Sequence, residues 1–329
     1  MTRSRVLGID VSKATLDVCL VLAAQSRIGT FQNDAQGHKA LYRWITKGCV
    51  DELPHVCMEA TGQYGVHVAQ HLYAHKCPVS VVNPARIKAH ARAMGKRNKT
   101  DRIDAAVIAD YCLKQMPALW TPPPIYLRDL KALIRYLDDL KKMRTQERNR
   151  VKSGTETRGV IMRIRAHIEY LDTEIKAVGI EVQELIDEIP VLKWQRDLLV
   201  TIPGIAQLTA AKILAEVPHI TEFESARQLA AYAGVTPRNH DSGSSVHSKP
   251  RFSKEGNAHL RQALYLPAVS AKNHNPIVRA FCQRLIDKGK APKAVVGAAM
   301  RKLLHIAYGV LKSGQPFDPE YLKKQAVGA

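Results

Sequence analysis

RVLGIDVSKATLDVCLVLA, Arg5 to Ala23, is the stretch on which the fold turns. RVLGID is a short β-rich run that ends in Asp10, and TLDVCLVLA alternates, with Leu16, Val18, Leu20 and Leu22 on one face. RIGTFQN, close behind, returns as a third strand, so the spacing predicts a three-strand meander. Working outward, a helical segment spans His38 to Lys47. A strand HVCMEA, a helix from Val66 to Lys76, a strand VSVVNP and a helix opening near Thr100 follow. A meander followed by βαβ units predicts a mixed α/β sheet with helices on its faces.

PALWTPPP, Pro117 to Pro124, breaks this pattern with prolines that donate to neither a helix nor a sheet ladder. A boundary placed there gives a first domain of residues 1–122. Beyond it Leu130, Leu133, Leu137 and Leu140 begin a heptad pattern. After the interruption SGTETRG, the apolar positions Ile161, Ile164, Ile168, Leu171, Ile175, Val178, Val182, Leu185 and Ile189 are spaced 3-4-3-4 without a miss. Residues 123–189 are therefore predicted to form a long helical hairpin or coiled coil, its seam buried within one chain or shared with a second copy, with Gly179 a local weak point. Residues 190–329 read as short helices, among them Glu224 to Tyr232, Ala258 to Lys272, Pro276 to Lys288 and Lys293 to Leu311. TIPGIAQLTAAKILAEV resembles a helix-hairpin-helix, whose backbone N–H groups suit phosphate. The longest polar interruption is HDSGSSVHSKPR, His240 to Arg251, which is either a solvated loop or the home of a reactive hydroxyl.

The net charge is +19. Lys and Arg outnumber Asp and Glu by 16 to 9 in residues 1–125 and by 20 to 9 in residues 190–329, against 13 to 12 between them. Two basic ends favour polyanions, because each neutralised phosphate releases condensed counterions. The chain shows no secretory leader and no membrane-length run of uncharged apolar residues, and its six scattered cysteines form neither a C-x-x-C pair nor a zinc spacing. They read as reduced core thiols of a cytoplasmic protein.

Four carboxylates stand out by position. Asp10 closes the first strand, Glu59 closes a later one at MEATG, and Asp101 and Asp104 lie in KTDRIDAAVIADYC at an i, i+3 spacing that puts both on one helix face. Singly, each also fits a turn former or a helix cap. Together they suit hard divalent cations, Mg²⁺ or Mn²⁺, such as stabilise in-line displacement at a phosphodiester. Arg86, Lys88, Arg92, Lys96, Arg97, Lys99 and Arg102 lead into the pair as a cationic approach, with Asp17 as a spare ligand.

The order meander, Asp, Glu and D-x-x-D on a helix resembles the RNase H-like fold in its RuvC-type form. With NPA, KRNKTDRIDA, IPGI, AGVTPR, SGSS and AYGVLKSG added, the chain resembles, over nearly its whole length, the DEDD transposases of the insertion-sequence one-ten family. The resemblance implies an RNase H-like catalytic domain, a coiled-coil connector and a mainly helical C-terminal transposase domain. It also implies a serine recombinase that cuts and joins donor and target double-stranded DNA under the direction of a structured guide (bridge) RNA. Its four acids fall on Asp10, Glu59, Asp101 and Asp104, and its nucleophile on Ser242; Asp241 and His247 receive no role. Lys249, Arg251 and Lys254 of the serine loop, with Arg97, Lys99 and Arg102, are the expected phosphate contacts. Acids and serine are separated in sequence by the helical middle, which permits one protomer to complete its partner's site in a homodimer or homotetramer. Two rivals remain: a metal-dependent structure-selective nuclease or resolvase with water as nucleophile, and a non-catalytic nucleic-acid binder on the same scaffold.

Overall fold

The computed structural model describes residues 5–22, 25–49, 52–60, 62–95, 101–154, 156–217, 219–238, 241–242, 246–247, 251–253 and 255–320, with the backbone alone at 101, 102, 238, 241, 242, 246, 247 and 251. The chain divides into two compact units, Met1–Pro122 and Pro123–Ala329.

In the first unit, β1 (Arg5–Val11), β2 (Thr15–Leu22) and β3 (Gln25–Gln32) form the antiparallel meander. β4 (His55–Glu59) and β5 (Val79–Val82) extend it in parallel on the other side of β1, giving the order β3-β2-β1-β4-β5. The period of two along each strand sorts the side chains. Leu7, Ile9, Leu16, Val18, Leu20, Val56 and Met58 bury one face against Leu41 and Ile45 of α1 (Ala35–Gly48) and Val68 and Leu72 of α2 (Val66–Ala74). Val6, Cys19, Cys57 and Val82 bury the other against Ile87 of α3 (Pro84–Ala93) and Ala105, Ile108 and Ala109 of α4 (Asp101–Gln115). α3 was not foreseen, yet it is locally encoded: the Asn83 side chain accepts from Ala85 N at 2.8 Å as the cap, and Pro84 occupies the first turn. The proline run does not leave the sheet at once, because Trp120 N donates to Val79 O at 2.7 Å and Ser80 Oγ to Ala118 O at 2.8 Å.

The second unit starts with two long helices, α5 (Ile125–Ser153) and α6 (Arg158–Glu188), which pack on each other. Leu137 and Leu140 meet Leu171 and Val178 in one apolar cluster, and Arg144 and Arg148 both bond Asp172 across the pair at 2.6 and 3.2 Å. Gly179 is carried within α6. Toward the end of α6 burial passes from the heptad position Leu185 to Ile186, as the 3.6-residue turn drifts against a 3.5-residue repeat. A second core joins the root of this pair, Leu130, Ile134, Val182 and Ile186, to the helices that follow. These are α7 (Pro190–Val200), α8 (Gln207–Glu216), α9 (Ala226–Tyr232), α10 (Ala258–Ala263), α11 (Tyr265–His274), α12 (Pro276–Asp287) and α13 (Pro292–Ser313).

Two expectations need correction. The helix read from Ala258 to Lys272 is two helices, α10 and α11, broken at Leu264 so that Pro267 falls in a first turn, where its missing N–H costs nothing. α13 is, among the described residues, long and apolar enough to cross a membrane by length and composition, but Arg301 and Lys302 interrupt it, so no membrane-length run of uncharged residues occurs there. Its Val295, Ala299, Leu303, Leu304 and Ala307 are core residues of the second unit. The serine-rich stretch is not wholly irregular: β6 (Pro237–Arg238) pairs with β9 (Arg251–Phe252), and β7 (Asp241–Ser242) with β8 (Val246–His247). All six cysteines are buried free thiols, as expected.

Candidate active site

Gly8 fixes where the site lies. A Cβ there would sit 2.2 Å from Ala105 O and 2.4 Å from Ala109 N, so only glycine lets α4 press its backbone onto β1. Asp10 is two residues farther along β1, hence on the same face of the sheet. β4 runs parallel beside β1 with Ile9 opposite Met58, so Asp10 and Glu59, each the next residue, are neighbours on adjacent strands. Glu59 shares the parity of Cys57 and so also belongs to the α4 face. Asp104 immediately precedes Ala105, and Asp101 opens α4. All four sequence-predicted acids therefore lie on the α4 side of the sheet, at the ends of β1 and β4 and in the first turn of α4. Asp17, the spare, stands directly across from Asp10 on β2, is 8% exposed, and accepts from Thr30 Oγ1 at 2.7 Å.

Sharing a face is not yet a closed ligand shell. Among the described residues no three acid, imidazole or thiol side chains gather closely enough to hold a metal ion. The side chain of Asp101 lies outside those described. The donors are carboxylate oxygens alone, a set that fits a hard divalent cation rather than zinc or copper.

A feature the sequence did not reveal ties the basic helix α3 to α4. His90 Nε2 lies 2.7 Å from Asp110 Oδ2, and Lys114 Nζ 2.9 Å from Asp110 Oδ1. Burial works to raise the Asp110 carboxyl, but the bonds from Lys114 and His90 outweigh it and hold the group below its usual range. Lys114 and Asp110 are an i,i+4 pair on α4, whereas His90 lies 20 residues from Asp110 and only the approach of the two helices pairs them. Arg86, Lys88 and Arg92 are exposed on the α3 so anchored. Of the remaining predicted phosphate contacts, Arg97, Lys99, Lys249 and Lys254 lie outside the described residues, and Arg102 and Arg251 are placed by backbone only, in α4 and β9.

Ser242 is placed by backbone in β7, opposite Val246, with Asp241 opposite His247. The outer ladder pairs Pro237 with Phe252 and Arg238 with Arg251. The Phe252 ring closes this ladder onto α13, where a Cβ at Gly297 would come within 2.7 Å of it.

Residues 7–154 match a DEDD transposase family of the IS110 type, and residues 196–283 match the transposase IS116/IS110/IS902 family. The chain is 35% identical over 321 residues to the pilin gene-inverting protein of Moraxella lacunata, covering 95% of this chain and 97% of that protein. It belongs to the IS110 family of transposases. The transposase for insertion sequence element IS1111A of Coxiella burnetii is 25% identical over 327 residues, covering 90% of this chain and 86% of that protein. As a member of this family the chain is an insertion-sequence transposase, an enzyme that recombines DNA. Its mixed sheet and helical remainder fit a DEDD, RNase H-like domain with a helical C-terminal region.

Proposed function

We propose that this transposase cuts and joins donor and target DNA through the hydroxyl of Ser242, with Asp10, Glu59, Asp101 and Asp104 holding Mg²⁺ or Mn²⁺ against the scissile phosphate. The observation that carries the reading is the common face: Asp10 and Glu59 adjacent on parallel strands, with the first turn of α4 brought to the same side of the sheet by Gly8. The bound metal would polarise the phosphate and neutralise developing charge. The chain's own groups do the rest. The Ser242 oxygen gives up its proton as it forms a bond to phosphorus, the phosphodiester bond to the leaving strand breaks, and the leaving oxygen takes up a proton, so the step balances overall. The resulting serine ester keeps the bond energy, so the hydroxyl of another strand can attack it and release Ser242 without ATP. Lys249, Arg251 and Lys254, with Arg97, Lys99 and Arg102, meet backbone phosphates in this account.

Near-full-length similarity to a protein named for inverting a gene supports site-specific rearrangement over indiscriminate cleavage. Direction by a structured guide RNA, a coiled coil made by α5 and α6, action as a homodimer or homotetramer, and work in the cytoplasm on the chromosome belong to the same proposal. They rest on the motif resemblance, on the 3-4 apolar spacing of the long helices and on the excess of basic residues. Asp101→Ala tests the metal part: purified variant and guide RNA are incubated with both DNA partners and cleavage is scored on a sequencing gel. Loss of cleavage is expected; cleavage at the normal rate would remove the metal cluster from the mechanism.

A further inference from the structure

Glu216, the last residue of α8, is 2% exposed, and both its carboxylate oxygens are engaged. Arg135 of α5 donates from Nε to Oε1 at 3.1 Å and from Nη2 to Oε2 at 3.4 Å, with Lys131 Nζ 3.5 Å from Oε2. The fourth contact comes from a different part of the chain: Asn257 Nδ2 donates to Oε2 at 2.8 Å. The Glu216 backbone carbonyl meanwhile accepts from the Tyr232 hydroxyl at 3.1 Å. Burial of a charge pair contributes little net stability, since apolar residues of the same volume serve as well. What this pair does supply is a fixed acceptor for one amide.

That amide stands at the root of the serine hairpin. Tyr232 ends α9 and Asn257 begins α10, and residues 233–256 leave and return between them. The Asn257 N–H donates to Tyr232 O at 2.7 Å, its Oδ1 accepts from Leu260 N at 3.0 Å as the cap of α10, and Arg261 Nη1 donates to Ala233 O at 3.1 Å. Gly256 has φ +142°, and a Cβ there would lie 2.3 Å from Tyr232 O, so the two ends of the segment are in backbone contact. Ser253 N then donates to Thr236 O at 3.0 Å, and the β6–β9 ladder follows.

We propose that Glu216 and Asn257 are positioning residues for strand transfer: the Arg135–Glu216–Asn257–Tyr232 network locks the stem of the serine hairpin to α5 and α8 and so fixes the direction from which β7 presents Ser242. The inference rests on the reading of Ser242 as the nucleophile. It assigns neither residue a contact with DNA.

The test exchanges one donor and acceptor. Asn257→Asp keeps an N-cap oxygen for α10 but sets a second carboxylate against Glu216 in place of the amide. Adding Glu216→Gln restores a donor–acceptor pair with the direction reversed. Full-length variants with guide RNA and both DNA partners are assayed for the rate of covalent protein–DNA attachment, for DNA affinity and for melting temperature. Asn257→Asp is expected to slow attachment by about tenfold or more, the scale of one hydrogen bond to a charged group, with DNA affinity unchanged. The paired variant is expected to recover most of that rate. The inference is overturned if Asn257→Asp attaches at the wild-type rate, or if the paired variant melts like wild type yet recovers nothing. Ser242→Ala run alongside separates the two claims: attachment persisting in that variant removes the nucleophile reading itself, whatever the network variants do.

Discussion

At the scale of single residues, Gly8 lets α4 rest on β1, because that contact depends on its missing side chain. Gly8→Ala is expected to lower stability by about 1–3 kcal/mol, the usual cost of forcing atoms into a packed core, and to reduce cleavage beyond what the stability loss explains. Chemical denaturation and a cleavage assay on the same preparation check this. A second residue-scale prediction concerns the far side of the sheet, where His38 and His71 lie with ring centroids 5.9 Å apart, and His71 and His75 4.4 Å apart. Burial, then His71 and His67, push the His38 imidazole below its ordinary pKa, with Asp34 partly opposing; burial, then His75 and Lys39, do the same for His71. The unfolded chain therefore takes up protons at these positions near pH 6.5 while the folded one does not, and stability falls as pH drops below that value. The melting temperature should decline from about pH 7.5 to about pH 5.5, and His71→Phe should flatten the decline; an equally steep decline in that variant would clear His71 of responsibility. The acids were visible in the sequence because strand ends and the i, i+3 spacing mark them. The Asp110–His90 tie and the Glu216 network were not, because each pairs residues from separate helices.

At the scale of elements, strongly periodic segments were the readable ones. The meander and the long helices follow from alternation and from the 3-4 repeat, each a signal repeated many times over. α3 escaped because its apolar pattern is thin, with Ile87 as its one fully buried side chain, and its start is announced only by Asn83 and Pro84. The α10–α11 break escaped because a single proline reads equally well as an interruption or as a first-turn residue. The short ladders β6–β9 and β7–β8 are two residues long on each strand, too short to carry a signal of alternation. The α5–α6 pair yields a prediction of its own: Leu171, 1% exposed between the two helices, when changed to Ala should cost about 2–5 kcal/mol. A loss well below that range in denaturant titration would mean that the packing described between α5 and α6 is not what holds them.

At the scale of the whole molecule, charge and family point the same way. Basic surplus lies in the terminal regions and near-balance in the long helical pair, so affinity for duplex DNA should be steeply salt-dependent. For about six neutralised phosphates it should fall by on the order of a thousandfold between about 50 and about 200 mM salt. Titration by fluorescence anisotropy measures the slope, and a flat response would separate the net charge of +19 from DNA recognition. The DEDD and C-terminal transposase matches lie in order along the chain, residues 7–154 and 196–283, and make it a member of the IS110 family. The choice of Ser242 among its serine neighbours came from family resemblance, since local sequence ranks none of them. That choice is the central claim, and one measurement addresses it most directly. Wild type and Ser242→Ala are each incubated with guide RNA, divalent metal and end-labelled donor and target DNA, then denatured and resolved for label that travels with protein. The account predicts a covalent protein–DNA species in wild type, mapped by mass spectrometry to Ser242 and absent from the variant. Recombination by Ser242→Ala at the wild-type rate, or an attachment that survives the substitution, would contradict it.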